Sequence, residues 1–79
     1  MRAWTDYPIV ELGDAPFVEA PVREIDVLSY DGDKYCKVLV GGIEKSIKAG
    51  YLYQTPGRCS VAPYPEPLRR QQLMALHPN

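Results

Sequence analysis

Histidine and cysteine are scarce in this chain, and their scarcity excludes most catalytic and metal-binding arrangements. The 79 residues include one histidine and two cysteines. A structural zinc site takes four ligands, so His77, Cys36 and Cys59 could not complete one without a carboxylate. His77 also lies two residues from the end, where chains usually fray, and Cys36 has no histidine partner near it in sequence. We therefore expect no catalytic residues, no metal, no cofactor and no enzyme activity.

Long apolar runs are missing as well. No stretch approaches the ~20 apolar residues that a membrane-spanning helix needs. Residues 1–6 are not followed by the apolar region of a secretory signal. We therefore expect a soluble, cytoplasmic protein without a membrane partner. In that compartment Cys36 and Cys59 would stay reduced, and we expect both to be buried thiols.

The common ligand-binding loops are not found either. Gly41-Gly42 is not followed by the Gly-Lys-Ser/Thr pattern of a phosphate loop. Asp31 and Asp33 flank Gly32 as they would in a calcium loop, but the remaining ligands of that loop are missing. Both glycine-containing segments are therefore better explained as tight turns.

The size and composition of the chain indicate one small globular domain. Apolar residues make up 46% of the sequence and charged residues 24%, which is not the composition of a disordered chain. A domain of this length buries only roughly 60–65% of its unfolded surface. Self-association into a homodimer would be a natural supplement to so small a core.

The clearest pattern is a three-stranded antiparallel meander that begins at Arg23. The turns Asp31-Gly32 and Gly41-Gly42 separate three short runs rich in Val, Ile, Tyr and Leu. A two-residue loop at each turn predicts the cross-strand pairs Ile25–Val38, Asp26–Lys37, Val27–Cys36, Cys36–Ile47 and Val40–Ile43.

This register assigns the side chains to two faces, because alternate residues of a strand point to opposite sides. One face is apolar and is the predicted core: Ile25, Val27, Cys36, Val38, Val40, Ile43 and Ile47. The other face mixes charged residues with two tyrosines and two leucines: Glu24, Asp26, Leu28, Tyr30, Tyr35, Lys37, Leu39, Glu44, Ser46 and Lys48.

Further short strands are predicted at residues 51–53 and 59–61. We thus predict an all-β fold: a small antiparallel meander, or an SH3-like barrel closed on itself, with an extended N-terminal arm and a short C-terminal helix. The divisions of this single domain, residues 1–79, are an arm over 1–22, a meander core over 23–61 and a proline-rich segment with a helix over 62–79. The helix is expected from Leu68 to Leu76, with leucines that could cover the sheet.

The leading functional hypothesis is a non-enzymatic adaptor or modulator that binds another protein. Tyrosine and arginine dominate protein interfaces, and the predicted second face is rich in aromatic and charged residues. Small domains of this kind are often accessory subunits, or inhibitors of host machinery encoded by phages and mobile elements. The candidate partner-binding residues are Leu28, Tyr30, Tyr35, Lys37, Lys48, Tyr51, Tyr53 and Arg58.

The alternative is a weak binder of single-stranded nucleic acid. Lysines and arginine alternate with tyrosines along the sheet, and small barrels bind single strands with cationic grooves and stacking aromatic rings. However, carboxylates occupy the same strands, and the pI of about 5.7 is far from that of a dedicated nucleic-acid binder. Protein binding is therefore the preferred hypothesis.

Overall fold

Four antiparallel strands form one open sheet in the computed structural model, which describes residues 1–18 and 20–77. Glu19, Pro78 and Asn79, which belong to the predicted arm and C-terminal segment, lie outside the described residues. The strands are adjacent in chain order: β1 (Arg2–Thr5), β2 (Arg23–Tyr30), β3 (Tyr35–Val40) and β4 (Ile43–Lys48). Two 3₁₀ helices (Val10–Leu12 and Ala49–Tyr51) and one α-helix, α1 (Arg70–Ala75), complete the described elements.

The prediction of a small, mostly antiparallel β meander is confirmed, whereas the closed SH3-like barrel is not formed. Within residues 1–18 and 20–77, β1 and β4 do not pair with each other, so the sheet keeps two edges. The predicted core face is buried except for Ile43, which is half-buried. Its buried members are Ile25, Val27, Cys36, Val38, Val40 and Ile47.

The β3–β4 hairpin has the predicted two-residue loop. Val40 pairs with Ile43 across Gly41-Gly42. Both glycines take positive φ, +56° and +79°. A type I′ turn requires positive φ at both central positions, and glycine adopts it without steric cost. This turn fixes the register of β4 along its whole length.

The register predicted for β2 and β3 is wrong, because the loop between these strands is wider than two residues. Asp31 accepts the N–H groups of Asp33, Lys34 and Tyr35 with one carboxylate oxygen, at 2.7, 2.9 and 3.1 Å. These hydrogen bonds, above all the one from the Asp33 N–H, also lower the pKa of Asp31. β3 therefore begins at Tyr35, and Val27 pairs with Val38 rather than with Cys36.

A β-bulge at Leu28 then reverses the faces to which the side chains at the end of β2 point. The register before the bulge is shifted by two residues from the predicted one, so the predicted faces persist as far as Val27. After the bulge, Tyr30 pairs with the buried Cys36. Tyr30 consequently packs against the core and does not lie on the outer face, where it was predicted.

The fourth strand comes from the N-terminal arm, and the short strands predicted at residues 51–53 and 59–61 are wrong. Arg2 to Thr5 pair with Asp26 to Arg23 at one edge of the sheet. Tyr51 ends a 3₁₀ helix, while Tyr53 makes only isolated bridges with Trp4 and Pro67. Residues 59–61 form a turn and a bend, and Cys59 is exposed rather than buried.

Irregular segments and α1 cover the inner face of the sheet. Ile9, Leu52 and Leu68 are buried beneath it, and Leu73 and Leu76 pack against the same cluster. The Leu52 carbonyl accepts the Leu68 N–H at 3.1 Å, which brings the C-terminal segment back beside residues 52–54. The helix is shorter than predicted, and the leucines of the C-terminal segment pack against the sheet, a question that the sequence leaves open.

The C-terminal residues dock on the end of β2. The Tyr30 N–H donates to the Leu76 carbonyl at 3.3 Å, and His77 Nδ1 lies 3.0 Å from the Tyr30 carbonyl oxygen. The His77 ring also contacts Gly32, so that a Cβ added there would lie 2.8 Å from His77 Cε1. His77 is therefore packed against the β2–β3 loop rather than frayed.

A salt bridge attaches the N-terminal arm to β2. The Arg23 guanidinium donates to both oxygens of Asp14, at 2.6 and 2.7 Å, and the Ile9 N–H donates to Asp14 Oδ2 at 2.7 Å. These bonds, chiefly those from Arg23, lower the Asp14 pKa from 3.8 to about 2. The carboxylate thereby holds Ile9 over the core.

We predict that the protein loses the stability contributed by the Asp14 salt bridge as the pH decreases from about 4 to about 2. Folding lowers the Asp14 pKa from 3.8 to about 2, so its contribution is complete above pH 4 and is lost as pH falls from 4 to 2. Asp14→Asn should be less stable than the wild type at pH 7, and the two should converge toward pH 2. Urea unfolding at several pH values measures this difference. A constant gap between Asp14→Asn and the wild type across this pH range would contradict the assignment.

We also predict that Gly32→Ala destabilises the fold whereas Gly50→Ala does not. Gly32 has φ +88°, which costs an L-residue about 1–2 kcal/mol, and the added methyl would press on His77. At Gly50 a Cβ meets nothing within 4 Å. Thermal and urea unfolding of both variants would test this, and equal stabilities would show that His77 does not pack against Gly32.

Candidate functional site

Among the residues that the structure describes, none forms a second layer over one face of the sheet. The arm, the C-terminal segment and α1 all pack on the inner side, so the other side is left to solvent. We call this side the outer face. Strand alternation and register place on it Arg2, Trp4, Glu24, Asp26, Leu28, Ser29, Tyr35, Lys37, Leu39, Glu44, Ser46 and Lys48.

Apolar side chains lie exposed on the outer face. Leu28 and Leu39 are 46% and 38% exposed, and Tyr35 is 43% exposed. Leu39 is paired with Asp26, two residues from Leu28, so the two leucines are diagonal neighbours on the two central strands.

Charged side chains of both signs surround these apolar residues. Arg2 lies 3.8 Å from Asp26 and 4.0 Å from Glu24, and Lys37 lies 3.5 Å from Glu44. Such exposed pairs contribute only about 0–1 kcal/mol each, so they organise the surface more than they stabilise it. Within the described part of the chain, Lys48 has no carboxylate at ion-pair distance.

The structure brings four of the eight predicted partner-binding residues together on the outer face. Tyr35 and Lys48 are direct cross-strand partners at one end of the β3–β4 hairpin. Lys37 lies two residues further along β3, and Leu28 lies beside it on β2. All four are exposed. This half of the predicted set therefore forms one contiguous surface.

The other four predicted residues lie elsewhere. Tyr30 packs against the core, and Tyr53 is buried, which together with Asp6 raises the pKa of its phenol. Tyr51 and Arg58 line a groove between the N-terminal arm and residues 58–60. The periodicity argument failed for Tyr30 because of the bulge, and for Tyr53 because it does not belong to a strand.

The groove is a second surface feature with exposed apolar walls and a volume of about 510 Å³. Phe17 on its rim is fully exposed and has φ +63°, and Val10 and Val18 beside it are more than half exposed. The Tyr7 and Tyr51 rings meet with centroids 4.9 Å apart. Sequence reasoning missed Phe17, because it was assigned to an extended arm.

Two outer-face residues were also missed as site candidates. Trp4 lies on the outer face beside Glu24, although the sequence was interpreted as an arm there. Ala3 and Thr5 are buried on either side of the half-buried Trp4, but this alternation is seen in the structure and not in the residue types of Arg2–Thr5. Leu39 was placed on the correct face but was not singled out.

The thiols offer no activated nucleophile at the outer face. Cys36 points into the core, where burial, with Asp31 nearby, raises the pKa of its thiol to about 11. Cys59 is exposed beside the groove, and its N–H donates to Asp6 Oδ2 at 3.1 Å. Among residues 1–18 and 20–77, no cluster of three or more His, Cys, Asp or Glu side chains could hold a metal ion.

We predict that the same leucine-to-alanine substitution costs less unfolding free energy on the outer face than in the core. Leu39→Ala removes a side chain that is already 38% exposed and should cost less than about 1 kcal/mol. Leu52→Ala removes a fully buried side chain and should cost about 2–5 kcal/mol. Urea unfolding gives both values. Equal losses would mean that the outer face is covered in solution.

Comparisons with known proteins give no relative for this fold. No family model, no curated protein and no solved structure matches the chain. In the part of the chain that the structure describes, none of the helices has both the length and the apolar character that crossing a bilayer requires.

Proposed function

We propose that this protein is a non-enzymatic binding module whose outer face binds another protein. The observation that carries the proposal is the uncovered face of a four-stranded sheet, with Leu28 and Leu39 exposed near its centre and Tyr35 exposed at one end of β3. Neighbouring exposed apolar residues rimmed by charges are typical of protein interaction sites. The finer role is that of a cytoplasmic adaptor or modulator, a class that includes small inhibitors of host machinery encoded by phages or mobile elements.

The sheet itself supports this role, because it presents the binding residues on a rigid base. Tyr35, Lys37 and Leu39 project from β3, which is hydrogen-bonded on both sides by β2 and β4. Binding to a preorganised surface avoids much of the entropy cost of ordering loops. Tyrosine adds a large contact area with few rotatable bonds.

The charges of the outer face favour a protein partner over nucleic acid. Three cations (Arg2, Lys37 and Lys48) share the face with three carboxylates (Glu24, Asp26 and Glu44). Lys45, on the same strand as Lys48, points to the inner side and pairs with Glu11 at 3.1 Å. A phosphate backbone needs a surface with excess positive charge, whereas a protein of mixed charge can match a balanced one.

The proposal predicts that two exposed side chains carry most of the partner affinity. The double variant Leu28→Ala/Tyr35→Ala should weaken capture of the partner by about 2 kcal/mol or more, roughly thirtyfold. Its matched control is Val61→Ala/Tyr64→Ala, which removes the same kinds of exposed side chain outside the outer face. Both should unfold within about 1 kcal/mol of the wild type. The measurement is the amount of partner that each immobilised variant captures from source-cell lysate, quantified by mass spectrometry.

Three results would contradict the proposal. The first is equal capture by both double variants, which would place recognition outside the outer face. The second is recovery of nuclease-sensitive material alone. The third is tight binding of single-stranded oligonucleotides in a fluorescence-anisotropy titration at low salt, because the nucleic-acid hypothesis would then be the better one.

A further inference from the structure

The two edges of the sheet are not equally protected. At the β1 edge, Trp4 and Tyr53 exchange two backbone hydrogen bonds, each 2.8 Å long. The β4 edge, from Ile43 to Lys48, has no strand beside it within residues 1–18 and 20–77. An open edge presents backbone donors and acceptors to which another strand can pair.

The hairpin geometry fixes which backbone groups of β4 point outward. In an antiparallel pair, hydrogen-bonded and non-hydrogen-bonded residue pairs alternate. The two-residue turn makes Val40–Ile43 a hydrogen-bonded pair, and at the other end the Ala49 N–H donates to the Lys34 carbonyl at 2.7 Å. Three residues of β4 therefore direct their N–H and C=O groups away from β3: Glu44, Ser46 and Lys48.

β4 lacks two backbone devices that block strand addition, a bulge and a proline. Its six residues pair with β3 without a register shift, and it contains no proline. Lys45 points to the inner side, and its charge is paired with Glu11, whose Oε1 lies 3.1 Å from Lys45 Nζ. The exposed side chains of the edge are Glu44, Ser46 and Lys48, so charge at this edge is of both signs.

We propose that β4 pairs antiparallel with β4 of a second copy of this chain, about a two-fold axis at Ser46. In this register Ser46 lies opposite Ser46 of the second copy, and Glu44 lies opposite Lys48 of the second copy. The symmetry makes the Glu44–Lys48 pair occur twice. In this register the residues whose N–H and C=O groups point outward (Glu44, Ser46 and Lys48) form hydrogen-bonded pairs with the same three residues of the second copy.

Charge selects this register over its neighbours. An axis at Glu44 or at Lys48 would place identical charges opposite each other, and an axis at Lys45 would bring two lysines together. An axis at Ile47 would leave Glu44 without an opposite charge. Lys48 has no carboxylate partner in the described part of its own chain, and Glu44 has only the exposed Lys37, 3.5 Å away.

The resulting dimer has one continuous eight-stranded sheet whose two outer faces lie on the same side. The proposal is independent of the protein-binding function, because it concerns the edge of the sheet and is measured without any partner. A dimer would also give the small core the supplement that its size favours.

The first test blocks the edge at its centre. The Ser46 N–H points away from β3, so Ser46→Pro removes a donor that the monomer does not use. Light scattering and sedimentation of the wild type should show a dimer that dissociates on dilution. Ser46→Pro should be monomeric, and its control Ser46→Ala, which keeps the N–H, should remain dimeric. A wild-type mass of one chain at ~1 mM would mean a dissociation constant weaker than that concentration and overturns the proposal.

The second test uses the charge pairs and does not depend on proline being tolerated. Glu44→Lys and Lys48→Glu each turn two attractive pairs into repulsive ones and should raise the dimer dissociation constant about tenfold or more. The double variant Glu44→Lys/Lys48→Glu restores opposite charges and should recover dimerisation. Circular dichroism checks that each variant is folded. Unchanged dimerisation of the single variants, or no recovery in the double variant, overturns the proposed register.

Discussion

The structure depends on burying one face of a single small sheet with very little regular structure. The strands supply eight buried side chains, and the layer beneath them comes from turns, irregular segments and a six-residue helix. Ile9, Leu52 and Leu68 are the buried members of that layer. The residues of this layer all lie on one side of the sheet, so the other face is uncovered within residues 1–18 and 20–77. The exposed outer face is thus a consequence of how the core is completed.

An irregular layer must also satisfy its backbone polar groups, and a few side chains do this here. Asp14 accepts the Ile9 N–H while it binds Arg23 on β2. Thr5 is buried, donates to the Tyr51 carbonyl at 2.7 Å and accepts the Tyr7 N–H at 3.1 Å. Because unpaired polar groups are costly in a core, these few contacts decide where the irregular segments can lie.

Local chemistry explains which parts of the fold could be predicted from the sequence. Gly41-Gly42 encodes its turn by itself, because both positions need positive φ, and the predicted register of β4 is correct. Asp31-Gly32 looks equivalent, but the Asp31 carboxylate bonds three N–H groups and widens the loop. The strand at Arg2–Thr5 depends on pairing with residues about twenty positions away, which no local pattern specifies.

The bulge at Leu28 links the core to the candidate site. Without an extra residue in β2, the two sides of the strand would keep alternating and Tyr30 would join the outer face. With the bulge, Tyr30 turns inward, and its ring meets the His77 ring edge-on with centroids 6.3 Å apart. Leu28 stays outside, beside Leu39. One irregularity therefore gives the C-terminal segment its docking site and removes Tyr30 from the open face. For this reason alternation finds Leu28 on the open face and fails for Tyr30.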